Sequence, residues 1–167
     1  MGKGAATAAE QPEVIVGQPT WIERGVHGRH GEVRVREYTP DGKIVWEVKT
    51  PHMPFTAIRL DDGNTLIGCT LGNLVIEVDP AGKEVWRVTN DDLPGRPIND
   101  ACGVQRLPNG NTVITSHHAK GDEVRLTEVT RDKTIVWTRR DPNSPGIHHF
   151  QILEIDGGPH TIPQAEF

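Results

Sequence analysis

Two pairs of adjacent histidines, His117 with His118 and His148 with His149, stand out in the chain, together with His27 and Cys102. Imidazoles and thiolates suit zinc, copper or iron, and a divalent transition metal held by such groups with one position open would activate water or polarise a carbonyl. An imidazole can also act without metal as general base or nucleophile, and His118 and His148 are the candidates for that role. Spacing does not choose between these chemistries. No His-x-x-x-His and no Cys-x-x-Cys is present, and adjacent residues on a strand point to opposite faces, so one histidine of each pair could serve a shared site. The residues leave a plainer reading open, in which these histidines are loop or core groups.

The elements that must position them are legible as repeats. Three segments align without gaps: "EYTPDGKIVW" from Glu37, "EVDPAGKEVW" from Glu77 and "EVTRDKTIVW" from Glu128, each with Trp nine positions after Glu (Trp46, Trp86, Trp137). A second element precedes two of them, "AIRLDDGNTLI" ending at Ile67 and "GVQRLPNGNTVI" ending at Ile114, and its first half returns as "HFQIL", His149 to Leu153. The Trp spacings are 40 and 51, and Arg59 to Arg106 is 47. A period in the forties without a helical stretch is the signature of a β-propeller blade.

Within a unit, two short apolar runs flank Asp-Asp-Gly-Asn or Pro-Asn-Gly-Asn, where Gly takes positive φ without cost, and "LVIEVD", "PAG" and "KEVWRV" make a second hairpin. Two hairpins in succession form a four-stranded antiparallel meander. The fold expected is therefore all-β, a partial β-propeller of about three blades. They cover about 13–48, with Glu13 to Gly25 as a degraded inner hairpin, then 55–88 and 102–139, followed by an inner strand at 148–153. Residues 1–12 read as an extended or disordered segment and 159–167 as a tail. The Trp of each outer strand is expected to pack on the neighbouring blade. Lys133 stands where the other units have Gly42 and Gly82, so its turn must be built differently or carry strain. Closed propellers have four to eight blades, which predicts self-association, with six blades from a dimer, or another propeller segment in a longer chain.

Propeller geometry then sorts the reactive groups. Loops between second and third strands share one end of the ring with loops that lead from an outer strand to the next inner strand. That end receives His52, Asp100, Cys102, His148 and His149 near inner-strand starts, and Cys69, His117 and His118 after second strands. His27 stands ten residues before Glu37, as His118 stands ten before Glu128.

Composition excludes other classes. At 167 residues, with 35% hydrophobic and 25% charged residues, the chain has the make-up of one ordinary domain. A formal net charge of -5 without a basic run argues against nucleic acid or an anionic membrane as partner. No run approaches the roughly 20 apolar residues of a membrane span. The start "MGKGAATAAEQPEV" lacks the apolar segment of a signal peptide, so the chain as written is expected in the cytoplasm, or in the periplasm or outside the cell if a longer N-terminus exists. Cys69 and Cys102 are then expected as separate thiols. "GVHGRHG", Gly25 to Gly31, precedes a strand and has no helix to hold an anion. "NDDLPGRPIND", from Asn90, reads as solvated turns.

"TPDGKIVW" and "DPAGKEVW" resemble the Asp-x-x-Gly-Lys-x-x-Trp docking motif of pyrroloquinoline-quinone-like propeller repeats. With "RLPNGNTVI", "EVTRDKTIVWT" and "NDDLPG" the stretch from Gly31 to Gly158 resembles a group of bacterial propeller proteins related to that superfamily and to arylsulfotransferase-type propellers. The quinone enzymes of that resemblance use adjacent cysteines and calcium-binding carboxylates; no Cys-Cys pair is present here, so no quinone is expected. The arylsulfotransferases carry the sulfuryl group on a histidine. Two functions from different classes follow, with enzyme activity undecided between them. One is a noncatalytic binding and assembly module with a His-bearing face for a small-molecule ligand. The other is a metal- or His-dependent propeller enzyme, a hydrolase, lactonase or sulfotransferase-like protein.

Overall fold

Each repeat folds as two antiparallel hairpins. The computed structural model describes residues 33–144, 146–155 and 158–159; the segment 1–12, the inner hairpin expected at 13–25, His27 and the tail beyond 159 lie outside them. β1 (Arg34–Tyr38) pairs with β2 (Ile44–Lys49). β3 (Pro54–Arg59), β4 (Thr65–Cys69), β5 (Leu74–Val78) and β6 (Glu84–Thr89) form one four-stranded meander. β7 (Val104–Arg106), β8 (Thr112–Thr115), β9 (Val124–Val129) and β10 (Ile135–Arg140) form a second. The chain is an all-β, partial propeller, with a single 3-10 turn at Thr70–Gly72. Among the described residues no helix is long and apolar enough to cross a membrane.

Turn chemistry sets these hairpins. In the inner ones, Gly63 and Gly110 donate to Leu60 O and Leu107 O, each at 2.9 Å. In the outer ones, Gly42, Gly82 and Lys133 occupy one position with φ of 84°, 81° and 64°. The lysine turn is thus built like the others and carries the strain, about 1 kcal/mol for a side chain in the left-handed region. Its ammonium reaches Asp92 Oδ1 at 2.8 Å.

Successive sheets bury their faces against each other. Val35 and Val48 pack with Ile67, Leu74, Ile76 and Val78; Leu66, Val75, Trp86 and Val88 pack with Ile98, Val104, Ile114 and Val129. A polar lock at the boundary fixes each pair. Trp46 Nε1 donates to Pro80 O at 3.0 Å and Trp86 Nε1 to Arg131 O at 2.8 Å, each a carbonyl in the next sheet's outer turn. Arg59 reaches back to Glu37 at 2.7 Å and lies over Trp46; Arg106 reaches back to Glu77 at 2.5 Å and lies over Trp86. Glu77, only 2% exposed, also accepts from Asn64 Nδ2 and from Arg131. Buried carboxylates are tolerated when paired in this way.

The third boundary differs. Trp137 is 43% exposed, against 8% for Trp86. The segment 148–153, expected as an inner strand, is assigned no strand; it runs along the second meander with Ile152 N–H on Gln105 Oε1 at 2.9 Å, and β11 (Glu154–Ile155) turns into β12 (Gly158–Pro159) just after it. Side-chain acceptance by Gln105 takes the place of a strand ladder there.

Replacing Trp86 with Ala removes both indole packing and its hydrogen bond, and should cost about 3 kcal/mol in urea unfolding. A loss below about 1 kcal/mol would show that the indole does not hold the two sheets together.

Candidate functional site

The loops of one end carry the site. Asp100, just before the inner strand β7, takes φ of 68°, and its backbone is clamped on both sides: its N–H donates to Asn73 Oδ1 at 2.7 Å and its carbonyl accepts from His117 N. Its carboxylate is buried and divided between two donors. Thr70 Oγ1 donates to Oδ1, and His118 Nδ1 lies 2.7 Å from Oδ2. The His118 side chain is 64% exposed. With Nδ1 donating to Asp100, the lone pair of Nε2 faces solvent as a proton acceptor.

Beside this pair the imidazoles form a stack. The ring of His117 lies 4.7 Å from that of His118 and 3.5 Å from that of His148, and Phe55 lies 5.2 Å from His148 and 5.5 Å from His149, centroid to centroid. Both members of each pair therefore serve one cluster. Strand alternation, which would have separated them, does not operate because His117 and His118 sit in a turn and His148 and His149 in an irregular segment. Gly146 makes the stack possible: a Cβ there would come within 2.5 Å of the His117 carbonyl and 2.9 Å of Nδ1. Burial lowers the His117 pKa, with the neighbouring His148 and His118 adding to it against a smaller opposite effect of Asp100.

Of the metal set expected from His27, His117, His118, His148, His149 and Cys102, His27 lies outside the described residues; among the described residues no three His, Cys, Asp or Glu side chains come together as ligands. The rings of His117 and His148 meet face toward face, tilted by 30° at 3.5 Å between centroids. Cys102 is buried below the site with Sγ 3.7 Å from Thr70 Oγ1. Cys69 lies in the core, where burial pushes its thiol up to about 12; no disulfide joins the two. His52 sits against Gly72 instead of in the stack.

Several participants carried no signal in the sequence. Thr70 and Phe55 meet the site only through folding. So do the groups around a cavity of about 350 Å³ beside the Asp100–His118 pair, among them Asn73, Asn99, Arg96, Glu123 and Arg140. Asn73 and Asn99 connect it directly to the pair, Asn73 through Asp100 N–H and Asn99 through its carbonyl, which accepts from His118 N at 3.2 Å. Three of the four non-glycine residues with positive φ among those described, Asn73, Arg96 and Asp100, lie at this end. Stored backbone strain of this kind concentrates at functional loops.

No protein-family model and no curated protein matches the chain. Solved structures do share its fold. A protein of unknown function from Bacteroides caccae aligns with TM-score 0.58 and 24% identity over 68% of this chain and 47% of its own. A streptogramin B lyase aligns with TM-score 0.50 and 21% identity over 70% of this chain and 36% of its own. The chain spans about half the length of the first neighbour and about a third of the second. At these identities the likeness is one of fold, a β-propeller.

His117 should titrate by NMR below the ordinary histidine value of 6.5. The unfolded chain then binds the proton more readily, so the contribution of His117 to stability is present above about pH 6.5 and is lost as pH falls from there through its lower folded value. Urea unfolding should show the wild type weaker at pH 5 than at pH 7.5, and this difference should shrink in His117→Phe.

Proposed function

We propose that the chain is a propeller module that binds a small polar molecule at its histidine-bearing end. The observation that carries this reading is the His118 imidazole fixed on a buried carboxylate, with its side chain largely open to solvent. Asp100 and His118 are next in sequence to Asn99 and Ala119 of a cavity lined also by Asn73, Arg96, Glu123 and Arg140. A volume of about 350 Å³ suits a small ligand. Asparagine amides supply paired donors and acceptors, and Arg96 and Arg140 favour a ligand with a carbonyl, carboxylate or sulfate oxygen.

The same pair supports a second reading, in which the ligand is turned over. Asp100 orients His118 through Nδ1, which leaves Nε2 to take a proton from water or to attack an ester, lactone or sulfate. The resemblance of the stretch from Gly31 to Gly158 to proteins related to arylsulfotransferase-type propellers belongs with this reading.

Two measurements separate the readings. Thermal-shift screening with polar fragments should yield binders whose stabilisation disappears in His118→Ala and Asn99→Ala; hits indifferent to both substitutions would overturn the site. Hydrolysis of p-nitrophenyl acetate and p-nitrophenyl sulfate should be followed in parallel. If the site is catalytic, His118→Ala should lower turnover by about 10²-fold or more with an unchanged far-UV spectrum; binding without turnover of any ester or sulfate leaves the module noncatalytic.

A further inference from the structure

The end of the sheets that carries the short hairpin turns has a cavity of its own. Its volume is about 690 Å³, in the range of small-molecule sites. Both meanders line it: Ile58, Leu60 and Val85 belong to the first, Leu107 and Pro108 to the second. The turns after β3, β7 and β9 contribute to it, whereas the loops after β4 and before β7 that carry the histidine site lie at the opposite ends of these strands. No residue lines both cavities.

The charges in this second cavity do not cancel. Glu77 gives one oxygen, Oε2, to both Arg106 Nη2 and Arg131 Nη1, and the other to Asn64. One buried negative charge thus serves two positive ones, and both guanidiniums lie over the same Trp86 ring, 5.2 and 5.3 Å from its centroid. Burial lowers the Arg106 pKa; Glu77 opposes this, the charge of Arg131 adds to it, and Asp62 has the smallest effect. Asp61 and Asp62 also line the cavity but are exposed, so water and salt screen them. Asp62 moreover accepts from Asn64 N and Nδ2, and Arg59 is matched by Glu37. The positive charge left over rests on Arg106 and Arg131. The Arg131 side chain is 45% exposed, and a guanidinium has N–H groups beyond the one on Glu77 for a further acceptor.

We propose that this cavity binds a small amphipathic carboxylate, with its oxygens on Arg131 beside Arg106 and its hydrocarbon body against Ile58, Leu60, Val85, Leu107 and Pro108. A carboxylate matches the fork of a guanidinium and makes charge-assisted hydrogen bonds to it. It also brings the second negative charge that the two guanidiniums on Glu77 lack. Removal of the body from water favours such a ligand over acetate. The site is separate from the histidine end and does not depend on what binds there.

Decanoate is the probe, with decylammonium as the control of opposite charge and acetate as the control without an apolar body. In ¹H–¹⁵N spectra of the full chain, decanoate should shift the indole N–H of Trp86, which donates to Arg131 O, in a saturable way, and leave the amide signals of Asn99 and His118 in place. Decylammonium and acetate should each bind at least about tenfold more weakly. Arg131→Gln should weaken decanoate by at least about tenfold, the effect of a lost hydrogen bond between charged groups, while the backbone carbonyl still holds Trp86. Val85 is 44% exposed and makes none of the Glu77 contacts, so Val85→Glu should weaken decanoate without unfolding the chain, and Val85→Lys should not weaken it. His118→Ala should leave decanoate affinity unchanged, which keeps this test apart from that of the histidine site. Absence of saturable decanoate binding overturns the proposal. So does saturation with the Trp86 indole signal unmoved, decylammonium binding as tightly as decanoate, or an affinity indifferent to Arg131→Gln or to Val85→Glu in the folded variant.

Discussion

The fold rests on an indole N–H that crosses from one sheet to a carbonyl in the next, with a glutamate and an arginine closing the contact around it. A four-stranded meander has two apolar faces and cannot keep them from water alone. The Trp86 contact, 45 residues apart in sequence, fixes both the distance and the rotation between two such sheets, because a hydrogen bond is directional where apolar packing is not. Glu77 adds the electrostatic part. A carboxylate that is 2% exposed costs about 3–5 kcal/mol if its partners are lost, and here Asn64 comes from its own sheet while Arg106 and Arg131 come from the next. Sheets locked in this way present their loops in a set order at each end.

The two ends use that order differently. At the end with the hairpin turns, the same short turn recurs, and Lys133 keeps its geometry at the cost of a strained φ. At the other end the connections vary in length and sequence, and strain appears at Asn73, Arg96 and Asp100. Each of these serves a contact that is not repeated. Asp100 turns its amide to Asn73 and its carboxylate to Thr70 and His118, an arrangement available only because the lock has brought the loop after β4 against the loop before β7.

The histidine stack works on the same pair electrostatically. His117 lies between His118 and His148, and its pKa is held below the ordinary histidine value by partial burial and by repulsion from those two imidazoles when charged. The Asp100 carboxylate is the charged group in contact with the His118 imidazole, whose other nitrogen is left to solvent.

Much of this was legible in the sequence. Period, turn residues and alternation record local backbone geometry and which face of a strand is apolar, and they determined the all-β blades, the hairpin boundaries, the equivalence of the three Trp residues and the anomaly at Lys133. They also placed His117, His118, His148, His149 and Asp100 at one end. What the tertiary structure alone decided is who touches whom there. It seated Asp100 on Thr70, 30 residues away, set the rings of His117 and His148 against each other, sent Cys69 and Cys102 into the interior, and left Trp137 exposed while Trp46 and Trp86 found acceptors. Such contacts join segments that no repeat relates to each other, so their partners exist only once the sheets are docked. A periodic sequence carries the shape of the unit; the loops acquire their chemistry from the distance between units.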